Sequence, residues 1–147
     1  MEFPAGARLK GENQVGEQLR ILVADDEERI LLLLEANLKA AGYEVVTVHD
    51  GKQAIEALSS TPVDAVITDM NMPEAGGLEV TEAARKLHGP HLPVIIITAY
   101  GSVQNAVEAM HRGATDYLEK PFDMGDLRAC LAKWLEEAEK RRSFEKR

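Results

Sequence analysis

Two adjacent aspartates, Asp25 and Asp26, a third aspartate, Asp69, and a lysine, Lys120, each follow or close a short apolar run. The runs are Arg20-Ile-Leu-Val-Ala-Asp-Asp26, Val63-Asp-Ala-Val-Ile-Thr-Asp69 and Ala114-Thr-Asp-Tyr-Leu-Glu-Lys120. A further apolar run, Val94-Ile-Ile-Ile-Thr98, ends on a hydroxyl. Adjacent carboxylates in a concave site repel each other and resist ionisation together. A hard divalent cation relieves this, and Mg²⁺ favours a few carboxylates completed by waters and phosphate oxygens. A carboxylate such as Asp69 can also attack phosphorus and form an acyl phosphate. The metal would neutralise charge on the transferring group. Lys120 offers a point charge to one phosphoryl oxygen, and Thr98 a hydroxyl donor to another. Any one of these residues could sit in an ordinary solvated ion pair. Five of them at the ends of four different strands point to phosphoryl chemistry.

The elements that must position them alternate along the chain. Apolar segments at 21–23, 43–48, 65–69, 94–98 and 116–119 read as strands. Segments at 27–41, 51–59, 77–87 and 103–112, and a long one beginning at Asp123, read as helices. Gly42 and Gly113 mark helix ends, Gly89-Pro90 marks a break, and Asp123 is a candidate cap. Continuous apolar strands separated by amphipathic helices imply a parallel sheet covered on both faces. The fold class is therefore α/β, a doubly wound five-stranded parallel sheet with five helices. In such sheets ligands bind at the carboxyl ends of the strands, beside the point where the strand order reverses.

The chain has 147 residues, 45% hydrophobic and only 5% aromatic, so one aliphatic core is expected. Its net charge of −8 excludes a general nucleic-acid-binding surface. The acidic surplus lies in residues 20–135 rather than at the ends. A single cysteine, Cys130, permits no internal disulfide and falls on an apolar helix face, where a buried, inert thiol is expected. No apolar run approaches a membrane span, and no signal peptide is evident, so a cytoplasmic setting without membrane contact is expected. Residues 1–18 read as a flexible leader, 19–138 as the folded domain and 139–147 as a linker helix or tail. The four histidines are scattered and read as loop residues, not as a metal site.

Asp25-Asp26, Thr68-Asp69-Met-Asn-Met-Pro73, Ile97-Thr98-Ala99 and Tyr117-Leu-Glu-Lys120-Pro121 resemble the receiver domain of bacterial response regulators. The likeness covers roughly residues 20–140. The spacings are compatible: 43 residues from Asp26 to Asp69, 29 on to Thr98 and 22 more to Lys120. A narrower stretch, Thr98 to Phe122, is similar to receivers of the nitrogen-regulation type, which precede an ATPase domain that activates the alternative sigma factor. No Gly-rich phosphate-cradling motif ending in Gly-Lys-Ser/Thr is present, so no ATPase is expected in this chain; the receiver either stands alone or, as the interrupted look of the C-terminal segment favours, was excised from a longer protein.

The resemblance implies a flavodoxin-like sheet of order 2-1-3-4-5. It implies that Asp69 accepts a phosphoryl group from a sensor histidine kinase. It implies Mg²⁺ held by Asp26, Asp69 and the Asn71 backbone carbonyl, with Asp25 acting largely through water. Thr98 and Tyr117 would form the switch, Thr98 turning toward the phosphoryl group and Tyr117 rotating inward. Without the resemblance, Tyr117 reads as a strand aromatic packed in the core. Asn71 and Tyr100 would tune the phosphoryl lifetime through water access, beside Ala99. The Lys120–Pro121 bond would be cis. Such a protein catalyses only its own phosphorylation and dephosphorylation. Its homodimer would form through the fourth helix, fifth strand and fifth helix. DNA would be reached only through an output domain absent from this chain.

Other functions are a Mg²⁺-dependent phosphatase with an aspartyl nucleophile, a pseudo-receiver that only binds, and a stand-alone phosphorelay shuttle. The first needs a general acid two residues after the nucleophile, where this chain has Asn71. In the first helix, inward packing of Ile30, Leu33, Leu34, Leu38 and Ala41 would leave Leu31 and Leu32 outward. Those two would contact the phosphodonor helices of the kinase or be covered within the chain. Leu127, Leu131, Trp134, Leu135 and Ala138 should form the inner face of the last helix.

Overall fold

The computed structural model describes residues 18–99 and 101–145. Almost all of the expected leader, and Tyr100, lie outside the described residues. Five strands and five helices alternate: β1 (Arg20–Ala24), α1 (Glu28–Ala40), β2 (Glu44–Val48), α2 (Gly51–Ser60) and β3 (Ala65–Asp69), then α3 (Gly77–His88), β4 (Val94–Thr98), α4 (Val103–His111), β5 (Asp116–Glu119) and α5 (Met124–Glu145). All pairings are parallel and the order is β2-β1-β3-β4-β5. The expected fold is therefore the observed one.

Residue alternation along the strands divides the core between two faces. Ile21, Val23, Ala65, Ile67, Ile95 and Ile97 pack beneath α1 and α5, against Leu31, Leu34, Leu38, Leu127 and Leu131. Leu22, Ala24, Val66 and Val94 face the other way, against Ala54 and Leu58 of α2 and Val80 and Ala84 of α3. Each fully buried Leu or Ile stabilises the fold by about 1.5–3 kcal/mol. Central β3 and β4 are buried at every position, which is why they read as unbroken apolar runs. Trp134, Leu135 and Ala138 complete the inner side of α5 as expected. That helix continues without interruption through residue 138 to Glu145.

Helix starts are set by local chemistry. The Asp50 side chain accepts from the Gln53 amide at 2.8 Å, Ser102 from Asn105 at 3.0 Å, and Asp123 from Gly125 at 2.7 Å. Helix α1 has no such side-chain cap.

On α1 the expected inner face holds at Ile30, Leu34 and Leu38, and Leu32 is outward as expected, but Leu31 and Leu33 trade places and Ala41 is outside. Leu31 is 2% exposed, while Leu32 and Leu33 are 56% and 49% exposed, and Ala41 is exposed beyond the helix end. Five consecutive apolar residues carry no polar position to mark the outer face. Leu34 and Leu38, inward as expected, share their stripe with Leu31 rather than Leu33. Asn37 reinforces it, accepting from Arg128 of α5 at 3.2 Å.

At the amino end of the sheet, Arg85 joins three segments. Its guanidinium donates to the carbonyls of Gly113 (2.8 Å), Gly89 (3.0 Å) and Leu92 (2.7 Å) and to Thr115 Oγ1 (3.2 Å). Burial lowers its pKa. Gly113 has φ 105°, and a Cβ there would come within 2.9 Å of the Arg85 side chain, so both conformation and space call for glycine. Arg85 thus anchors the end of α3 to the approaches of β4 and β5. Arg85→Ala strands three carbonyls and should lower unfolding free energy by about 2–4 kcal/mol. Urea denaturation with an unchanged slope is the check.

Candidate functional site

β1 pairs with β2 on one side and β3 on the other, so the strand order reverses at β1 and β3. Their carboxyl ends carry Asp25, Asp26 and Asp69. One carboxylate oxygen from each lies within 4.8 Å of the others. Asp25 is fully buried: Oδ1 accepts from the Glu27 amide at 2.9 Å and Oδ2 from Lys120 Nζ at 3.0 Å. Asp26 is exposed. Asp69 is 7% exposed, with Oδ1 3.3 Å from Lys120 Nζ. Lys120 also reaches Glu27 Oε1 at 3.3 Å. Glu27 was not foreseen from sequence. Its signal was weak: an acid directly after the paired aspartates, in a place better suited to a capping residue.

Backbone geometry holds this arrangement. The Lys120 amide donates to the Thr98 carbonyl at 2.7 Å, tying the end of β5 to the end of β4. The Met70 amide donates to the Ile97 carbonyl at 2.8 Å, extending the β3–β4 pairing past Asp69. Gly77 opens α3 directly behind the phosphoacceptor candidate. A Cβ there would meet the Asp69 carbonyl at 2.7 Å and Met70 Cα at 3.1 Å. Only glycine lets the helix start approach this closely.

The electrostatics follow from one cation among several anions. Burial first, then Asp25 and more weakly Asp26, raise the Asp69 pKa to about 6 against a partial offset from Lys120. Burial alone would lower the Lys120 pKa, but Asp25 first, then Asp69 and Glu27, outweigh it and the pKa rises. Mg²⁺ holds oxygen ligands at about 2.1 Å, so its ligands lie roughly 3–4.2 Å apart. The three carboxylates fit that set after a modest contraction, and their oxygen-only chemistry suits a hard ion.

The remaining sequence candidates lie around this centre. Thr98 is buried at the end of β4 and Ala99 follows it, exposed. Asn71 is exposed, two residues beyond Asp69. Pro121 is exposed and the Lys120–Pro121 bond is cis, as the resemblance implies. Tyr117 packs with Leu78 against Met70, Ile96, Ala109 and Ala114. Its hydroxyl is shielded from solvent, and burial raises its pKa. Cys130 donates to Asp116 at 3.2 Å, and burial with that carboxylate pushes its pKa up to about 12. The thiol is half-buried rather than fully buried as expected.

The family model described as response regulator receiver domain matches residues 21–132. The chain belongs to that family. It is 42% identical to the transcriptional regulatory protein ZraR of Klebsiella oxytoca over 120 residues, covering 82% of this chain but 27% of that protein. A crystal structure of a CheY-like receiver domain protein from Methanospirillum hungatei superposes with a TM-score of 0.81 at 31% identity, covering 84% of this chain and 98% of the other. NtrX from Brucella abortus, solved with ADP, gives 0.79 at 32% identity, covering 88% of this chain and 29% of its own. The likeness to nitrogen-regulation-type receivers is thereby borne out. This chain spans about a quarter of the length of the curated relative quoted. No described helix is long and apolar enough to cross a membrane.

The raised Asp69 pKa has a stability consequence. The folded protein holds the Asp69 proton more tightly than the unfolded chain, so this group favours folding most below about pH 4. That advantage is lost as pH rises to about 6, and above it the buried charge is a net cost. Asp69→Asn should therefore be more stable than the parent at pH 7.5 without divalent cations, by about 2 kcal/mol. Urea midpoints should converge toward pH 4.5, and saturating Mg²⁺ should narrow the gap at pH 7.5.

Proposed function

We propose that this domain is a phosphorylation-controlled switch in which Asp69 accepts a phosphoryl group from a sensor histidine kinase. The carrying observation is Lys120 Nζ at 3.3 Å from Asp69 Oδ1 within a three-aspartate cluster. One Asp69 carboxylate oxygen attacks phosphorus, and the bond from phosphorus to the donor histidine nitrogen breaks. Lys120 donates to a phosphoryl oxygen, and the Thr98 hydroxyl to another, at the end of the neighbouring strand. Asp26, Asp69 and the Asn71 carbonyl would hold Mg²⁺, with Asp25 acting through water. When bound, the ion neutralises charge on the transferring oxygens. Asn71 has no acidic proton to give a leaving group, which disfavours a phosphatase acting on separate substrates.

The switch reading draws on β4, β5 and α4. Thr98 ends β4, and Tyr117 sits in β5 paired with Ile96 and packed on Ala109 of α4. Turning Thr98 toward a phosphoryl oxygen opens space that Tyr117 fills, biasing a two-state surface by a local charge event. Val103, Val107 and Met110 are exposed along α4, at 81%, 49% and 47%, and suit the homodimer surface of α4, β5 and α5. The ZraR likeness supports a transcriptional output, with any DNA contact made by a separate domain.

Incubation with acetyl phosphate and Mg²⁺ should add one phosphoryl mass, absent with EDTA and absent in Asp69→Ala. No adduct on folded, Mg²⁺-bound protein would favour the pseudo-receiver. The exposed pair Leu32 and Leu33 lies just beyond the site end of α1 and suits docking of the kinase's phosphodonor helices. Leu32→Glu with Leu33→Glu should slow transfer from the phosphorylated kinase about ten-fold. Acetyl phosphate reactivity should be unchanged. Equal transfer rates would remove the pair from the docking surface.

A further inference from the structure

Glu27 occupies the N-cap position of α1, with extended backbone angles of φ −92° and ψ 112°. Residues at that position usually turn a short oxygen-bearing side chain back onto the first helical amides. Glu27 makes no such bond. Its carboxylate points instead to Lys120 at 3.3 Å. The backbone beneath it is fixed at both ends. Its amide donates to Asp25 Oδ1 at 2.9 Å, and its carbonyl accepts from the Leu31 amide at 3.1 Å. The side chain itself is 59% exposed.

Lys120 has three ammonium hydrogens. It also has three carboxylate neighbours: Asp25 at 3.0 Å, Glu27 at 3.3 Å and Asp69 at 3.3 Å. A phosphoryl oxygen that reaches this ammonium competes with these carboxylates for its hydrogens. Asp25 is fully buried and held by a backbone amide, so it has nowhere to go. Asp69 becomes the acyl phosphate, so its contact with Lys120 passes to the phosphoryl group. Glu27 alone can swing into water.

We propose that Glu27 is a counter-ligand that competes with the phosphoryl group for Lys120, and so sets how tightly the site holds that group. The inference rests on the phosphoacceptor reading and deepens it. In the unphosphorylated protein Glu27 satisfies the ammonium and restrains its position. In the phosphorylated protein it is released, and its solvation in water partly compensates the lost contact. Glu27 is thus a positioning residue acting through Lys120.

The test is calorimetric titration with beryllofluoride, a phosphoryl mimic, at saturating Mg²⁺. Parent, Glu27→Gln, Glu27→Ser and Glu28→Gln are compared, with Mg²⁺ affinity and unfolding midpoint measured separately for each. Serine can cap α1, which keeps that variant folded. Glu28 is the adjacent acid, paired with His49 at 2.9 Å, and controls for loss of one charge. Both Glu27 variants should bind beryllofluoride about two- to five-fold tighter, the size expected for an exposed ion pair. Their Mg²⁺ affinity should stay close to the parent's, and Glu28→Gln should match the parent. Unchanged or weaker binding by the folded Glu27 variants overturns the inference alone, as does an equal gain in Glu28→Gln. A parent that binds Mg²⁺ but no beryllofluoride overturns the phosphoacceptor reading with it.

Discussion

One ammonium holds several carboxylates together at the end of the sheet, and the rest of the architecture serves that arrangement. Lys120 balances Asp25 and Asp69 at 3.0 and 3.3 Å, where neither acid has much access to water. The balance is incomplete, since burial and the other aspartates still hold the Asp69 carboxyl up near pH 6. A site left short of positive charge favours whatever supplies more, first a cation and then a group the cation can escort. The instability is local because the neighbouring strands are buried and cannot shift to relieve it.

Sheet topology determines which residues can share that balance. Asp25 and Asp69 meet because β1 and β3 are neighbours, although 44 positions separate them in sequence. Lys120 reaches them from β5, two strands beyond β3, because its backbone is pinned to Thr98 and its side chain is long. Gly77 brings the start of α3 against the Asp69 carbonyl. At the opposite end, Arg85 satisfies three carbonyls that would otherwise loosen the approaches of β4 and β5. Rigid framing at one end allows charge to be stressed at the other.

Much of this was legible in the residues. β3 and β4 match their expected limits because buried parallel strands leave unbroken apolar runs. The aspartates and Lys120 were legible because such types at strand ends are costly without a partner. The choice between Leu31 and Leu33 on the inner face of α1 was not legible. Ile30 to Leu34 is apolar throughout, so no pattern within it distinguishes Leu31 from Leu33, and packing by Leu34 and Leu38 decided. Glu27 was hidden for a different reason. Its contact with Lys120 spans 93 positions and depends on a side chain declining its usual local bond. Arg85 was hidden likewise, since its partners are carbonyls, which every residue possesses.

Among the helices, α4 is the one a charge change can move at least cost. Ala109 is its only buried residue among those described, while Val103, Val107 and Met110 face solvent. Its carboxyl end is tied down: Arg112 bridges to Glu82 of α3 at 2.9 Å, and Arg85 grips the Gly113 carbonyl. Its amino end begins at Ser102, four residues past Thr98. A helix held at the far end and lightly packed elsewhere belongs to the low-stability part of a fold, where local motion is cheapest. Under the proposed switch, a phosphoryl group that draws Thr98 acts toward the amino end of this helix. Tyr117, packed against Ala109 with its hydroxyl already out of water, links that motion to β5. The exposed apolar side chains of α4 then become a readable surface because the helix beneath them has so little else to hold it.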